Sequence, residues 1–156
     1  MSENPLLSVK FQIPFDQIKA EHIAPGIREL IGQSQKNIDA IVADETPRSF
    51  DNTMLALERS TENLDYALSV VRHLESVATT PELRAAWNAV EPEASAFYSQ
   101  IPLNEGLWKQ LQRYSKTEDA AAFRPCNARI KDGPWQPAAA LRPSCKMAGN
   151  QAPVNQ

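Results

Sequence analysis

Leu83, Ala86, Trp87, Val90, Ala94, Phe97, Tyr98 and Ile101 recur at steps of three, one, three, four, three, one and three residues. That spacing lays all eight on one stripe of a 3.6-residue helix. Trp87 and Tyr98 make the stripe wide and apolar, so it must bury a large area. Such a stripe needs other helices to cover it. The limits of this helix are also written in the sequence. Thr80 is a natural N-cap, Pro81 suits the first helical position, and Glu82 sits well at the positive end of the helix dipole. Pro92 falls in the interior, removes one hydrogen bond and predicts a kink. The stripe stays in phase across Pro92, so one kinked helix is predicted, ended by Pro102.

Helical periods recur before and after this stretch. The first helix is predicted from about Glu21 to Ala43, with Ile23, Ile27, Leu30, Ile31, Ile38, Ile41 and Val42 on its apolar face and Pro25 in its first turn. A second helix is predicted to start near Asp51. Asp51 would cap it, and Phe50 and Leu55 would form a hydrophobic staple. Its stripe runs through Met54, Leu57, Leu64, Leu68, Val71, Leu74 and Val77. At roughly 27 residues it would be about 40 Å long. Asn104 can cap a fourth helix, with Leu107, Trp108, Leu111 and Tyr114 inward and a weak extension through Ala120, Ala121, Ala122 and Phe123.

Both ends differ from this pattern. Val9, Phe11, Ile13 and Phe15 alternate with polar or proline residues. Pro14 limits that segment to an edge strand at most. An extended arm over residues 1–19 is therefore predicted, inserting Phe11 and Phe15 among the helices. From Arg124 the helical period is lost. Residues 124–156 hold five prolines, both cysteines, five basic residues and one acidic residue, whereas the first 123 residues hold eleven basic and eighteen acidic. A segment so poor in large apolar residues cannot offset its ordering entropy, so disorder is predicted there. The fold class is all-α: an antiparallel bundle of about four helices over residues 20–123, between an extended arm and an unrelated tail.

Composition excludes several functions. With 156 residues, one domain with one core is expected. A net charge of -3 and a pI of about 5.4 give no basic footprint for nucleic acid. No apolar run reaches the eighteen or so residues of a membrane span. Met-Ser-Glu-Asn-Pro, with no apolar run behind it, argues against a secretory signal, and a cytoplasmic protein is expected. In that compartment Cys126 and Cys145 would be free thiols.

Particular groups of residues carry a family resemblance. They are Asn4-Pro5-Leu6-Leu7, the run from Phe15 to Pro25, and Phe50-Asp51-Asn52-Thr53 with Leu57-Glu58. His73-Leu74-Glu75-Ser76-Val77, Thr80-Pro81-Glu82-Leu83-Arg84 and Trp87-Asn88 follow, then Tyr98-Ser99 and Asn104-Glu105-Gly106-Leu107-Trp108. In order and spacing over about 120 residues these resemble the N-terminal region of the thimet oligopeptidase and oligopeptidase A family of zinc metallopeptidases, which includes peptidyl-dipeptidases. The resemblance ends near Phe123. It implies a helical scaffold that helps wall a deep channel for short peptides. The family's zinc site is a His-Glu-x-x-His helix with a later glutamate, and the motif glutamate is the general base on metal-bound water. Nothing here matches that motif. His22 and His73 are the only histidines, and neither is followed by Glu. No catalytic, cofactor-binding or metal residue carries over, and no cofactor is expected in this chain, against one zinc in full-length members. The change at Arg124 is the kind a frameshift or truncation produces. The neighbouring reading frame beyond codon 123 should then restore family-like sequence.

Other residues that could carry chemistry read better as structure. His22 and His73 lie on different helices with no third ligand, and should cap or hydrogen-bond. Glu91 and Glu93, two apart, point to different sides of a helix and should be solvated. Trp87, Phe97, Tyr98, Trp108 and Tyr114 could line a ligand box, but their helical spacing marks core, or core plus a surface that meets a missing domain. Two functions fit. One is the N-terminal domain of a zinc-dependent oligopeptidase, inactive by itself and acting on short peptides only as part of the whole enzyme. The other is a free-standing helical interaction module with no enzymatic activity. Neither involves nucleic acid or a membrane.

Overall fold

Three long helices run up, down and up, and a short fourth closes one end. The computed structural model describes residues 4–121. The helices are α1 (Ala20–Ala43), α2 (Ala56–Val77), α3 (Pro81–Gln100) and α4 (Glu105–Tyr114). A π-helical turn (Asp51–Leu55) leads into α2, and a 3-10 turn (Ile101–Leu103) joins α3 to α4. A final helical turn covers residues 118–121. Among the described residues there is no strand, and the fold is all-α as the periodicity predicts. The predicted disorder of residues 124–156 lies outside the described residues, as do Ala122 and Phe123.

Side-chain pairs fix the helix directions. Arg28 meets Glu93, and Gln35 and Ile38 share a cleft with Gln100 and Ile101, so α1 and α3 are parallel. Glu75 meets Arg84 and Asp65 meets Tyr98, so α2 and α3 are antiparallel. The core lies between the three. Ile23, Ile27, Leu30, Ile38, Leu64, Val71 and Val90 are at most 1% exposed. Burying each such side chain stabilises the fold by roughly 1.5–3 kcal/mol. Small polar residues share this interior. Thr53 donates to Asn52 Oδ1 at 3.0 Å and Ser60 to the Leu57 carbonyl at 2.6 Å, which lets both be buried.

The helix starts partly follow the predicted caps. Thr80 Oγ1 accepts from the Leu83 N–H at 3.2 Å, and Asn104 Oδ1 from the Leu107 N–H at 3.0 Å. α3 continues through Pro92 as one helix. Two starts differ. α1 begins at Ala20, so Pro25 falls in the second turn, where its missing N–H leaves the exposed Glu21 carbonyl to water. Before α2, Ser49 and Asn52 exchange hydrogen bonds at 2.9 and 3.3 Å, so the cap is Ser49 and not Asp51. Phe50 then has helical backbone and sits two places too late to act as a staple.

Five apolar assignments also change. Met54 and Val77 are exposed, and Thr53, Ser60, Ala67 and Val70 take buried places on that face. Trp108 is 59% exposed. α4 docks on the end of α1 through Gly106 against Val42 and through Gln110, which donates to the Val42 carbonyl at 2.8 Å. That contact turns Leu107, Gln110 and Tyr114 inward and Trp108 outward. The arm is a chain of turns, with no strand. Leu6 and Ile18 anchor it in the core, Phe11 is fully exposed, and Phe15 lies over His73 with ring centroids 5.6 Å apart.

Candidate functional site

His22 occupies the third position of α1. Its Nδ1 accepts the Lys19 N–H at 3.1 Å, its carbonyl accepts from Asn4 Nδ2 at 2.8 Å, and its Nε2 lies 4.0 Å from Glu21 Oε1. His73 stands on the exposed side of α2 against Phe15. Among the described residues no three His, Cys, Asp or Glu side chains gather as a metal-holding group. His22 and His73 belong to no such group. Cys126 and Cys145 lie outside the described residues.

The carboxylates of α3 do not converge. Glu91 is exposed, and Glu93 turns to α1, where Arg28 Nη2 and Nε meet it at 2.7 and 3.0 Å. The Arg28 hydrogen bond holds Glu93 below the usual carboxylate range and raises the arginine in turn. On the neighbouring face the Tyr98 hydroxyl donates to Asp65, whose other oxygen accepts from Thr61 Oγ1 at 2.9 Å. Burial, and then this bond to a carboxylate, raise the Tyr98 hydroxyl well above the ordinary phenol value. The aromatic set is divided. Trp87, Phe97 and Tyr114 are buried, Tyr98 is half-buried and Trp108 faces out. The Arg72 guanidinium lies 5.9 Å from the centre of the Trp87 ring, a cation–π distance. This is core and its margin.

Two open clefts mark the surface. One, of about 380 Å³, lies between the arm and the start of α1 and is lined by Ser8, Lys10, Asp16, Lys19, Glu21 and His22 among others. The other, of about 290 Å³, lies between α1 and the α3–α4 turn. Among the described residues Phe11, Val77, Leu103 and Trp108 are the most exposed large apolar side chains, each more than half accessible along with Val9. The sequence analysis assigns no role to Arg48, which lies between the predicted first and second helices. Arg48 is buried, donating to the carbonyls of Asp44 at 2.6 Å and Thr46 at 3.1 Å. An arginine a few residues beyond a helix end is the signal that could have flagged it, since the last carbonyls there need donors.

A family model described as the neurolysin/thimet oligopeptidase N-terminal domain matches residues 27–139. The chain belongs to this oligopeptidase family. The match starts within α1, covers α2, α3 and α4, and continues past the composition change at Arg124. Oligopeptidase A of Escherichia coli is 32% identical over 129 residues, 83% of this chain and 19% of that protein. A probable cytosolic oligopeptidase A of Arabidopsis thaliana is 30% identical over 130 residues, 83% of this chain and 18% of the relative. A dipeptidyl carboxypeptidase of Salmonella typhimurium is 35% identical over 133 residues, 80% of this chain and 20% of the relative. The chain thus spans about a fifth of the length of these oligopeptidase relatives. No helix among its described residues is long and apolar enough to cross a membrane.

Proposed function

We propose that this chain is the N-terminal helical domain of a zinc-dependent oligopeptidase, and that alone it hydrolyses nothing. The family match over residues 27–139 carries this reading. Relatives named for peptidase activity extend far beyond the segment they share with the chain. The domain would supply one wall of a channel admitting short peptides, while zinc and the general base would come from sequence outside it. On this reading residues 1–19 are an arm and 20–123 the scaffold domain, and the family match runs on through the first part of the tail, to residue 139. The cytoplasm is the fitting compartment, and a relative described as probably cytosolic supports it. The test is incubation of the purified chain with zinc and a short peptide. No cleavage is expected, and cleavage that a chelator abolishes would overturn the reading.

A second reading, a free-standing helical interaction module, draws on one observation. Every buried polar side-chain atom among the described residues has a hydrogen-bond partner. A self-sufficient module would be monodisperse with a cooperative melt. A domain separated from its enzyme would expose the face that the rest should cover, and would aggregate or melt without cooperativity.

A further inference from the structure

The end of the bundle that carries α4 holds an uncharged cleft. Gln35, Ile38, Gln100, Ile101, Leu103 and Asn104 line it, between α1 and the α3–α4 turn. None of the six is charged, whereas the cleft at the start of α1 is lined by Lys10, Asp16, Lys19 and Glu21 among others. Ile38 is buried beneath the cleft, Ile101 is half-buried, and Leu103 stands out from it, 78% exposed. Trp108 extends the patch. Its N–H donates to the Asn104 carbonyl at 3.0 Å, which sets it one helical turn beyond Asn104 on the same side of α4. An apolar centre, neutral amide side chains around it and an exposed tryptophan beside it make up the composition of an interface core, where charge is depleted and aromatic side chains are enriched.

The path of the chain leads to the same end. After α4, Thr117 Oγ1 accepts from the Ala120 N–H at 3.2 Å and opens the helical turn at residues 118–121. Asp119 in that turn accepts the Phe50 N–H at 2.6 Å, just before the π-helical turn that leads into α2. The family match runs on past this point to residue 139, and the oligopeptidase relatives are about five times as long as the stretch they share with the chain. In a chain of that length the part beyond this domain continues from the α4 end. We infer that the Leu103–Trp108 patch is where the remaining part of a full-length oligopeptidase seats, covering the cleft with an apolar element of its own. The inference rests on the reading of this chain as the N-terminal domain of such an enzyme. Contacts between domains of one chain bury about 600–1,500 Å², so the cleft with Leu103 and Trp108 is the centre of the contact and not its whole extent. The cleft at the other end of the bundle suits an apolar cover less well, because its charged side chains would have to be stripped of water.

A chimera tests the seat: the full-length Escherichia coli relative carrying residues 4–121 of this chain in place of its own matched stretch. The parent chimera should cleave a short peptide. Trp108→Glu and Leu103→Glu should each speed its thermal inactivation about tenfold or more, the scale on which the loss of a central interface side chain acts. In the whole 156-residue chain by itself the same substitutions should move the melting temperature by no more than about 3 °C, because both side chains are exposed there. Phe11→Glu, on the fully exposed arm residue, should leave the chimera unchanged. A parent chimera without activity overturns the N-terminal-domain reading and the inference with it. An active chimera indifferent to Trp108→Glu and Leu103→Glu overturns the inference alone. So does an equal loss of stability in the chain by itself, which would place both side chains in the domain's own fold, and so does an equal effect of Phe11→Glu, which would mean that added surface charge and not this patch is what the chimera senses.

Discussion

Arg28 on α1 and Glu93 on α3 meet in a two-point contact, with Nη2 2.7 Å from Oε1 and Nε 3.0 Å from Oε2. The pair aligns two parallel helices whose contacting residues lie 65 apart in sequence. The Arg28 hydrogen bond depresses the Glu93 pKa, which sets the sign of the pH effect. A carboxylate depressed on folding stabilises above its unfolded pKa, and that contribution fades as pH falls through the folded value. The melting-temperature difference between the parent chain and Glu93→Gln should therefore be full near neutrality and shrink below the ordinary carboxylate range. Both side chains are largely exposed, so the difference should be small and should also shrink in high salt, which thermal melts can follow.

Arg48 should matter far more to stability. Its side chain is 1% exposed and forks between the Asp44 and Thr46 carbonyls just past α1, with the Asp44 carboxylate 2.8 Å away. Arg48→Ala leaves those carbonyls without their donor and a gap in the packing. A loss of about 2–4 kcal/mol is expected in chemical denaturation. Arg48→Lys should recover only part of it, because an ammonium cannot reproduce the fork.

Gly106 should resist the substitution that usually favours helices. A Cβ at this position would lie 2.5 Å from Val42 Cγ1 and 3.2 Å from Asn104 Oδ1, the oxygen that caps α4. Gly106→Ala should thus destabilise by about 1–3 kcal/mol, despite the higher helix propensity of alanine. Adding Val42→Ala removes the clashing methyl group. The double variant should then be more stable than the sum of the single effects predicts, which a double-mutant cycle in urea would read.

Trp87 and Trp108 should respond in opposite ways. Trp87 is 7% exposed beneath Arg72, and Trp87→Ala should cost about 3–5 kcal/mol. Trp108 is 59% exposed, so Trp108→Ser should stay within about 0.5 kcal/mol of the parent. Equal losses in denaturant titrations would mean that α4 docks with its other face inward.

The helices could be read from the sequence because their signals are local. Ile23, Ile27, Leu30 and Ile38 repeat at helical spacing, and Thr80 and Asn104 stand where caps belong and act as caps. What escaped depends on partners distant in sequence. Gln110 is polar and reads as surface, yet the Val42 carbonyl, 68 residues away, lets it be buried. Thr53 and Ser60 carry no apolar signal, but small hydrogen-bonded side chains fit where helices pack closely. Trp108 is apolar and reads as core, but the Gly106–Val42 contact sets which face of α4 turns inward. In the arm, alternation pointed to Phe11 and Phe15, and the anchors are Leu6 and Ile18 instead. Of the candidate site residues, the separation of Glu91 from Glu93 followed from helix geometry alone. His22 caps the start of α1 as expected, with Lys19 and Asn4 as its partners.

α1 touches α2, α3 and α4, and all three are made after it. Glu93 follows Arg28 by 65 residues, and Gln110 follows Val42 by 68. A ribosome adding about 5–20 residues per second takes roughly 3–14 s to bridge such gaps. Throughout that interval α1 carries Ile23, Ile27, Leu30 and Ile38 with part of their partners unmade. Among the described helices α1 is therefore the one that waits longest for its full set of partners.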